Sequence, residues 1–166
     1  NVYFWVQNSP FQLQIQEILN VLSKFKINKV LIHSSTANPE PNQLVQLIEK
    51  GANLEFLMLG SIPTYSENVP KIVHDNVIDE DLSFSKLDIG RYLVPESLAG
   101  DKYYESVNGS NFEYISTLEE MCRGSSCRWH DSRNNLYYFD TDHLTLTGAK
   151  AIRVPISIAV DKLLSK

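Results

Sequence analysis

The sequence predicts an α/β fold, a three-layer α/β/α sandwich with a mostly parallel sheet of four or five strands. Two observations carry this prediction. Short apolar runs alternate in the first part of the chain with stretches whose apolar residues recur every three or four positions. The runs are typical of strands buried on both faces, and the stretches of amphipathic helices. Strands that alternate with helices in this way indicate a parallel sheet with right-handed crossovers.

The first elements follow this order closely. Residues 2–6 are an aromatic and β-branched run, which indicates a strand buried on both faces. An amphipathic helix follows, with a core stripe at Phe11, Ile15, Ile18, Leu22 and Phe25. Residues 29–33 and 54–59 are predicted as the second and third strands, and residues 43–50 as the short helix between them.

The middle of the chain is less regular. Residues 64–111 mix prolines and glycines with acidic clusters, which predicts a long excursion with a helix over 96–106. A short strand is predicted over 112–115 and a helical turn over 118–121. Residues 136–139 are apolar and run directly into polar residues, so they are predicted as the last strand, ending at a functional site.

A C-terminal helix closes the chain. Its apolar stripe consists of Ala149, Ile152, Ile156, Val160 and Leu163. Pro155 lies inside the stripe, and a proline removes a helical hydrogen bond. We therefore expect a kink at Pro155 or a restart of the helix after it.

Composition excludes several classes of protein. A chain of 166 residues with 43% hydrophobic and 21% charged residues is expected to form one globular domain over 1–166. The net charge is −5 and no basic patch is interleaved with aromatic residues, which excludes nucleic acid as a partner. No apolar run approaches the roughly 18 residues of a membrane span. The chain starts at Asn1 without Met or a signal peptide, so we expect it to be truncated at its N-terminus.

Two cysteines, Cys122 and Cys127, enclose four residues that include Gly and Ser. Too few Cys or His residues lie nearby for a zinc site of the closed type, and no cofactor or metal is predicted. The pattern leaves two alternatives open, a disulfide that closes a small loop or two free thiols.

Asp140 and His143 are the strongest candidates for chemistry. A spacing of three residues places both side chains on one side of a tight turn, where a carboxylate can orient an imidazole that acts as a general base. Asp142 is a competing carboxylate. The structural alternative is the N-terminus of a helix, capped by Asp140 or Asp142, with His143 as a surface residue of its first turn.

The run from Tyr138 to Thr145, followed by Gly148-Ala149, resembles the last conserved block of SGNH (GDSL) hydrolases. It is similar in particular to the periplasmic SGNH domain attached to membrane acyltransferase-3 proteins, which also carry two nearby cysteines. The specific part of the match covers residues 114–149. The resemblance implies a flavodoxin-like sandwich, a Ser-His-Asp triad and a disulfide. It also implies a periplasmic or extracellular location, since disulfides persist in oxidising compartments.

Ser9 is the predicted nucleophile of that triad. It follows the first predicted strand and opens the first helix, where free backbone N–H groups favour an oxyanion. The family has Gly-Asp-Ser here, whereas this chain has Gln7-Asn8-Ser9-Pro10. One alternative is a nucleophile upstream of Asn1, with residues 2–6 as an inner strand and the central strand missing. The others are Ser34, Ser35 or an inactive domain.

The resemblance implies acyl-group chemistry, most specifically O-acetyl transfer to a cell-envelope polysaccharide. The expected partners are a glycan acceptor and a fused or associated membrane acyltransferase domain. Two other functions are compatible with the same sequence. One is an esterase that removes acetyl groups from carbohydrates, and the other is a glycan-binding domain without catalysis.

Overall fold

A computed structural model describes residues 15–33, 41–79, 82–124 and 126–165. The helices in these ranges are α1 (Ile15–Lys24), α2 (Pro41–Lys50), α3 (Val69–Val73), α4 (Pro95–Ser106), α5 (Thr117–Met121) and α6 (Leu146–Ser165). The strands are β1 (Lys29–His33), β2 (Glu55–Leu59), β3 (Phe112–Ile115), β4 (Cys122–Arg123) and β5 (Ser126–Cys127). A π-helical turn (His74–Asp79) follows α3, and two 3₁₀ turns (Phe84–Lys86 and Ile89–Tyr92) precede α4.

The main sheet consists, in the described residues, of β1, β2 and β3 in chain order, all parallel. Val30 pairs with Phe56, and Phe56 pairs with Phe112 on its other side. The sheet confirms the predicted strands over 29–33, 54–59 and 112–115. The predicted strand over residues 2–6 lies outside the described part of the chain.

Helices cover both faces of this sheet. Side chains alternate between the faces of a strand, so the paired Val30, Phe56 and Phe112 share one face. That face packs on α1 and α2 in a core cluster whose buried members are Leu22, Ile27, Val30, Leu47, Ile48, Leu54 and Phe56. Helix α6 packs on β2, and Lys162 pairs with Glu113 of the opposite face at 3.8 Å. The three-layer α/β/α arrangement predicted from the sequence is therefore confirmed.

A second core cluster lies between the excursion after β2, the β4–β5 hairpin and the beginning of α6. Its fully buried members are Tyr65, Val69, Ile72, Ile89, Met121 and Tyr138. Trp129 is 3% exposed, and its indole N–H donates to the carbonyl of Leu87 at 3.2 Å. The long excursion is thus packed against the body of the domain, and it supports the loop that contains Asp140 and His143.

The strand predicted over residues 136–139 is wrong. Leu136 forms a single antiparallel bridge with His130, and Tyr138 forms one with Leu144. The backbone of this segment instead accepts a hydrogen bond from Thr145, the residue before α6, whose N–H donates to the carbonyl of Tyr137 at 2.8 Å. Tyr137 and Tyr138 of this apolar run are buried in the second core cluster and not in the sheet, and the run by itself does not distinguish these two environments.

The predicted helices are confirmed with shifted boundaries. Helices α2 and α4 begin at Pro41 and Pro95, slightly before the predicted ranges, since proline suits the first helical turn. Helix α6 begins at Leu146 and continues through Pro155 without interruption, so of the two predicted alternatives the restart is wrong and the kink stays a prediction. Among the described residues, no helix is long and apolar enough to cross a membrane.

Cys122 and Cys127 form a disulfide. They face each other as a register pair of the β4–β5 hairpin. Gly124 has a φ of 62° in the connecting turn, a left-handed conformation that glycine adopts without steric cost. The disulfide implied by the resemblance is confirmed, and the alternative of two free thiols is wrong.

Candidate active site

The loop that contains Asp140 and His143 is fastened to the segment between β2 and α3. Val69 N donates to the carbonyl of Asp140 at 3.1 Å, and Tyr65 N donates to the carbonyl of Thr141 at 2.9 Å. Both donors belong to residues that are almost fully buried. The excursion after β2 therefore determines where the loop lies.

Two tyrosines form the floor beneath this loop. The rings of Tyr65 and Tyr138 meet edge to face with centroids 5.1 Å apart, an arrangement that aromatic pairs prefer. Burial raises the pKa of Tyr65 to about 12 and raises the pKa of Tyr138 further. Both phenols consequently stay neutral at physiological pH and serve as a rigid support.

The beginning of α6 fixes the other end of the loop. The Thr145 hydroxyl donates to the carbonyl of Leu136 at 2.7 Å and accepts from Gly148 N at 3.2 Å, so it caps the helix. A Cβ atom on Gly148 would collide with the carbonyl oxygen of Tyr137. Only glycine allows α6 to approach so closely, and this contact sets the beginning of the helix against the backbone of Tyr137.

Asp140 holds His143 through both of its carboxylate oxygens. Asp140 Oδ1 accepts from the backbone N of His143 at 2.8 Å and from that of Asp142 at 3.0 Å. Asp140 Oδ2 lies 2.8 Å from His143 Nδ1. The carboxylate thus fixes the backbone turn and the ring together, and it favours the tautomer with hydrogen on Nδ1. In the described part of the chain, no hydrogen bond occupies the other ring nitrogen, Nε2.

Asp142 has a different role. Its Oδ1 accepts from the Thr141 hydroxyl at 2.9 Å and lies 3.4 Å from His143 Nδ1. That distance is beyond the usual range for a good N–H···O hydrogen bond, so Asp142 acts on the ring mainly through its charge. Of the two candidate carboxylates, the geometry favours Asp140 as the partner of the imidazole.

The electrostatics of the pair stabilise its charged form. The hydrogen bond that His143 donates to Asp140, followed by the negative charges of Asp140 and Asp142, raises the pKa of His143. Partial burial alone would raise the pKa of Asp140, but hydrogen bonds from the Asp142 backbone and from His143 outweigh it and lower that pKa. The site therefore stabilises an imidazolium that has accepted a proton.

The ring of His143 is open to a substrate. Its side chain is 66% exposed, against 31% for Asp140. One face of the ring stacks on Phe139, with centroids 5.5 Å apart and planes inclined by 20°. The sequence placed Phe139 in a buried strand, whereas it is 60% exposed. The sequence signal that could have revealed this contact is the spacing of four residues between Phe139 and His143, since a tight turn brings such neighbours together.

Ser9, Ser34 and Ser35 are outside the described residues, and their roles stay predictions. His33 and Ser61 stand at or just after the carboxyl ends of β1 and β2, the edge where α/β sheets bind ligands. Burial lowers the pKa of His33, which is half-buried there.

The described residues contain one group of side chains that could hold a metal ion, formed by Asp140, Asp142 and His143. Their ligand atoms lie within 4.8 Å of one another. Hydrogen bonds within the loop already explain this closeness. We therefore do not identify these side chains as metal ligands.

Comparison with known proteins gives a family and a fold. The family model described as the SGNH domain fused to AT3 domains matches residues 11–156. No curated protein sequence matches the chain significantly. The periplasmic domain of the lipopolysaccharide acetyltransferase of Salmonella ser. Paratyphi A has a similar structure, with a TM-score of 0.65 and 19% sequence identity.

That alignment covers 90% of this chain and 64% of the Salmonella chain, so this chain spans less than two thirds of the solved domain. At such identity the structural likeness shows the fold, which is the SGNH-type α/β sandwich. The family match covers most of the sequence, including the loop with Asp140 and His143. The chain belongs to the family of SGNH domains that are fused to AT3 domains, a family of acyl-transfer and hydrolase domains.

Proposed function

We propose that this domain transfers acetyl groups to hydroxyl groups of a cell-envelope polysaccharide through a Ser-His-Asp triad. The observation that carries the proposal is the contact of 2.8 Å between Asp140 Oδ2 and His143 Nδ1 on an exposed loop. A carboxylate at Nδ1 leaves Nε2 available to a serine hydroxyl, as a general base requires. The proposed nucleophile is Ser9.

The reaction has two halves. His143 Nε2 takes the proton of the serine hydroxyl while the serine oxygen attacks the acyl carbonyl, and the tetrahedral intermediate expels the leaving group with that proton. The acyl-serine then reacts with a sugar hydroxyl, whose proton passes to Nε2 and returns to the serine when the new ester separates. Asp140 stabilises the imidazolium in both halves, and backbone amides at the N-terminus of the first helix bind the oxyanion.

The family and the disulfide support a location and a partner. The family consists of SGNH domains fused to AT3 domains, so we propose a fused membrane acyltransferase as the source of the acyl group. The Cys122–Cys127 disulfide is typical of oxidising compartments. We therefore place the domain in the periplasm or outside the cell, where a glycan acceptor is available.

Substitutions of His143 and Asp140 test whether His143 is the general base. His143→Ala should abolish turnover, and Asp140→Asn should lower kcat by at least about a hundredfold, because the ring loses the support for its tautomer and its cation. His74→Ala is a matched control, since His74 is 59% exposed and also lies beside a carboxylate, Asp75. The assay follows acetyl groups from an activated ester donor to an oligosaccharide acceptor. Full turnover by His143→Ala would refute the triad.

A fluorophosphonate probe tests the nucleophile. The wild-type protein should be labelled, and mass spectrometry should locate the label on Ser9. Ser9→Ala should then prevent labelling while the fold is retained. A label on Ser34 or Ser35, or on a serine upstream of Asn1 if the protein extends beyond this chain, would transfer the role to that residue. An unlabelled but folded full-length protein would favour the non-catalytic, glycan-binding function.

Hydrolysis of carbohydrate acetyl esters is the second candidate function. The observation that favours it is the 66% exposure of the His143 side chain, which gives water access to the base. Water would then replace the sugar hydroxyl in the second half of the reaction. Product analysis separates the two functions, because transfer yields an acetylated acceptor and hydrolysis yields free acetate.

A further inference from the structure

His143 is held by two contacts of different geometry. Its Nδ1 lies 2.8 Å from Asp140 Oδ2, at one edge of the ring. Its face lies against Phe139, with the ring planes inclined by 20°. A hydrogen bond at a single nitrogen lets the ring tilt about that point. A stacked neighbour opposes this tilt, because a tilted imidazole would either clash with the phenyl ring or lose its contact with it.

Phe139 is an unusual residue to find at this position. Its neighbours Tyr137 and Tyr138 are buried, at 5% and 0% exposure, whereas Phe139 is 60% exposed. A phenyl ring that faces solvent contributes little to core packing. Its backbone N donates to the carbonyl of His143 at 3.1 Å, which fixes the two residues relative to each other. Among the described residues, the exposed phenyl ring stacks on the imidazole of His143.

We propose that Phe139 is a positioning residue for His143. It keeps the imidazole in the plane that directs Nε2 towards the serine hydroxyl, and its π face attracts the imidazolium formed during proton transfer. This inference rests on the proposed function, in which His143 is the general base. It extends that function because Phe139, which is not a member of the triad, is given a role in orienting the imidazole.

Nuclear magnetic resonance tests the geometry without any turnover. A ring stacked on a phenyl group experiences its ring current, so the carbon-bound ring protons of His143 should resonate upfield of those of His74. Phe139→Leu should remove this shift, and Phe139→Tyr should retain it. Phe25→Leu is the matched control, because it removes another exposed phenyl ring, 64% exposed, at the end of α1. Identical His143 signals in the wild type and Phe139→Leu would overturn the proposal.

Steady-state kinetics test whether the orientation of His143 by Phe139 affects turnover. Phe139→Leu should lower kcat about three- to tenfold with KM unchanged, because an aromatic contact of this kind is modest and acts on the base. Phe139→Tyr should restore the rate. An unchanged kcat in Phe139→Leu overturns the positioning role even if the ring-current shift is lost. Failure of the proposed function gives a different result, a His143→Ala variant that is as active as the wild type.

Discussion

Asp140 and Asp142 act differently on the same imidazole. Asp140 lies 2.8 Å from Nδ1 and also binds two backbone N–H groups, whereas Asp142 lies 3.4 Å away and accepts from Thr141. The first contact fixes a tautomer and an orientation. The second adds negative charge near the ring. The two effects can therefore be separated by substitution.

Asp142→Asn should lower the pKa of His143, because a neutral amide no longer favours the imidazolium. In the proposed mechanism the neutral imidazole is the active base, so the acidic limb of the pH profile of kcat/KM should move to lower pH. The amide oxygen of Asn can still accept from Thr141, which preserves the loop. Turnover across a series of pH values, together with a histidine titration by magnetic resonance, measures the shift. An acidic limb at the wild-type position would contradict this account of Asp142.

At the scale of the element, the close approach of α6 to Tyr137 fixes one end of the loop that contains Asp140 and His143. Gly148→Ala should destabilise the fold by about 1–3 kcal/mol, the usual cost of forcing a side chain into a packed contact. The new methyl group would meet the carbonyl oxygen of Tyr137, and backbone moves less easily than a side chain. Thermal unfolding measures the loss, and Lys150→Ala on the exposed surface of α6 is the control. Equal Tm values for the two variants would show that α6 accommodates the new methyl group without loss of stability.

The β4–β5 hairpin is the second element with a clear energetic prediction. Titration of the unfolded, unreduced protein should find no free thiols. Replacing Cys122 and Cys127 together by Ser should lower the free energy of unfolding by about 2 kcal/mol, since the disulfide closes only a short loop in the unfolded chain. Denaturant unfolding of both proteins measures the difference. Two reactive thiols in the wild type would contradict the disulfide and weaken the proposed location.

At the scale of the whole molecule, one polar contact ties the long excursion to the end of the sheet. Asp101 of α4 is only 8% exposed, and its Oδ1 accepts from the Tyr114 hydroxyl at 2.6 Å and from the Ser116 hydroxyl at 2.8 Å. Burial, assisted by the hydrogen bond to Asp101, raises the pKa of Tyr114, so the phenol remains a donor. The rings of Tyr104 and Tyr114 stack beside this contact.

Tyr114→Phe should therefore destabilise the domain by about 1–3 kcal/mol, because a buried carboxylate loses one of its donors. Asp101→Asn and the double variant complete a double-mutant cycle, and the coupling energy from denaturant unfolding measures the pair. A coupling energy of zero would show that the contact between α4 and β3 does not contribute to stability.

Several features of this protein follow from the sequence by itself. The strands over 29–33, 54–59 and 112–115 and the helices between them are visible because burial of a strand leaves a short apolar run, whereas burial of one helical stripe leaves a period of three to four residues. The pair Asp140 and His143 is visible because its spacing is local, and a tight turn brings three-residue neighbours together. The disulfide depended on the resemblance, since the cysteine spacing alone left two alternatives open.

Only the tertiary structure decided the remaining features. Residues 136–139 are as apolar as a strand, yet Thr145 bonds to the carbonyls of this segment and its tyrosines pack in a core beside the sheet. Local sequence cannot tell these two environments apart, because both bury apolar side chains. The distances of Asp140 and Asp142 from the imidazole, and the stacking of Phe139 on His143, belong to a loop that Tyr65 and Val69 fasten from far away in the chain. Such long-range hydrogen bonds determine orientation, which a pattern of residue types does not encode.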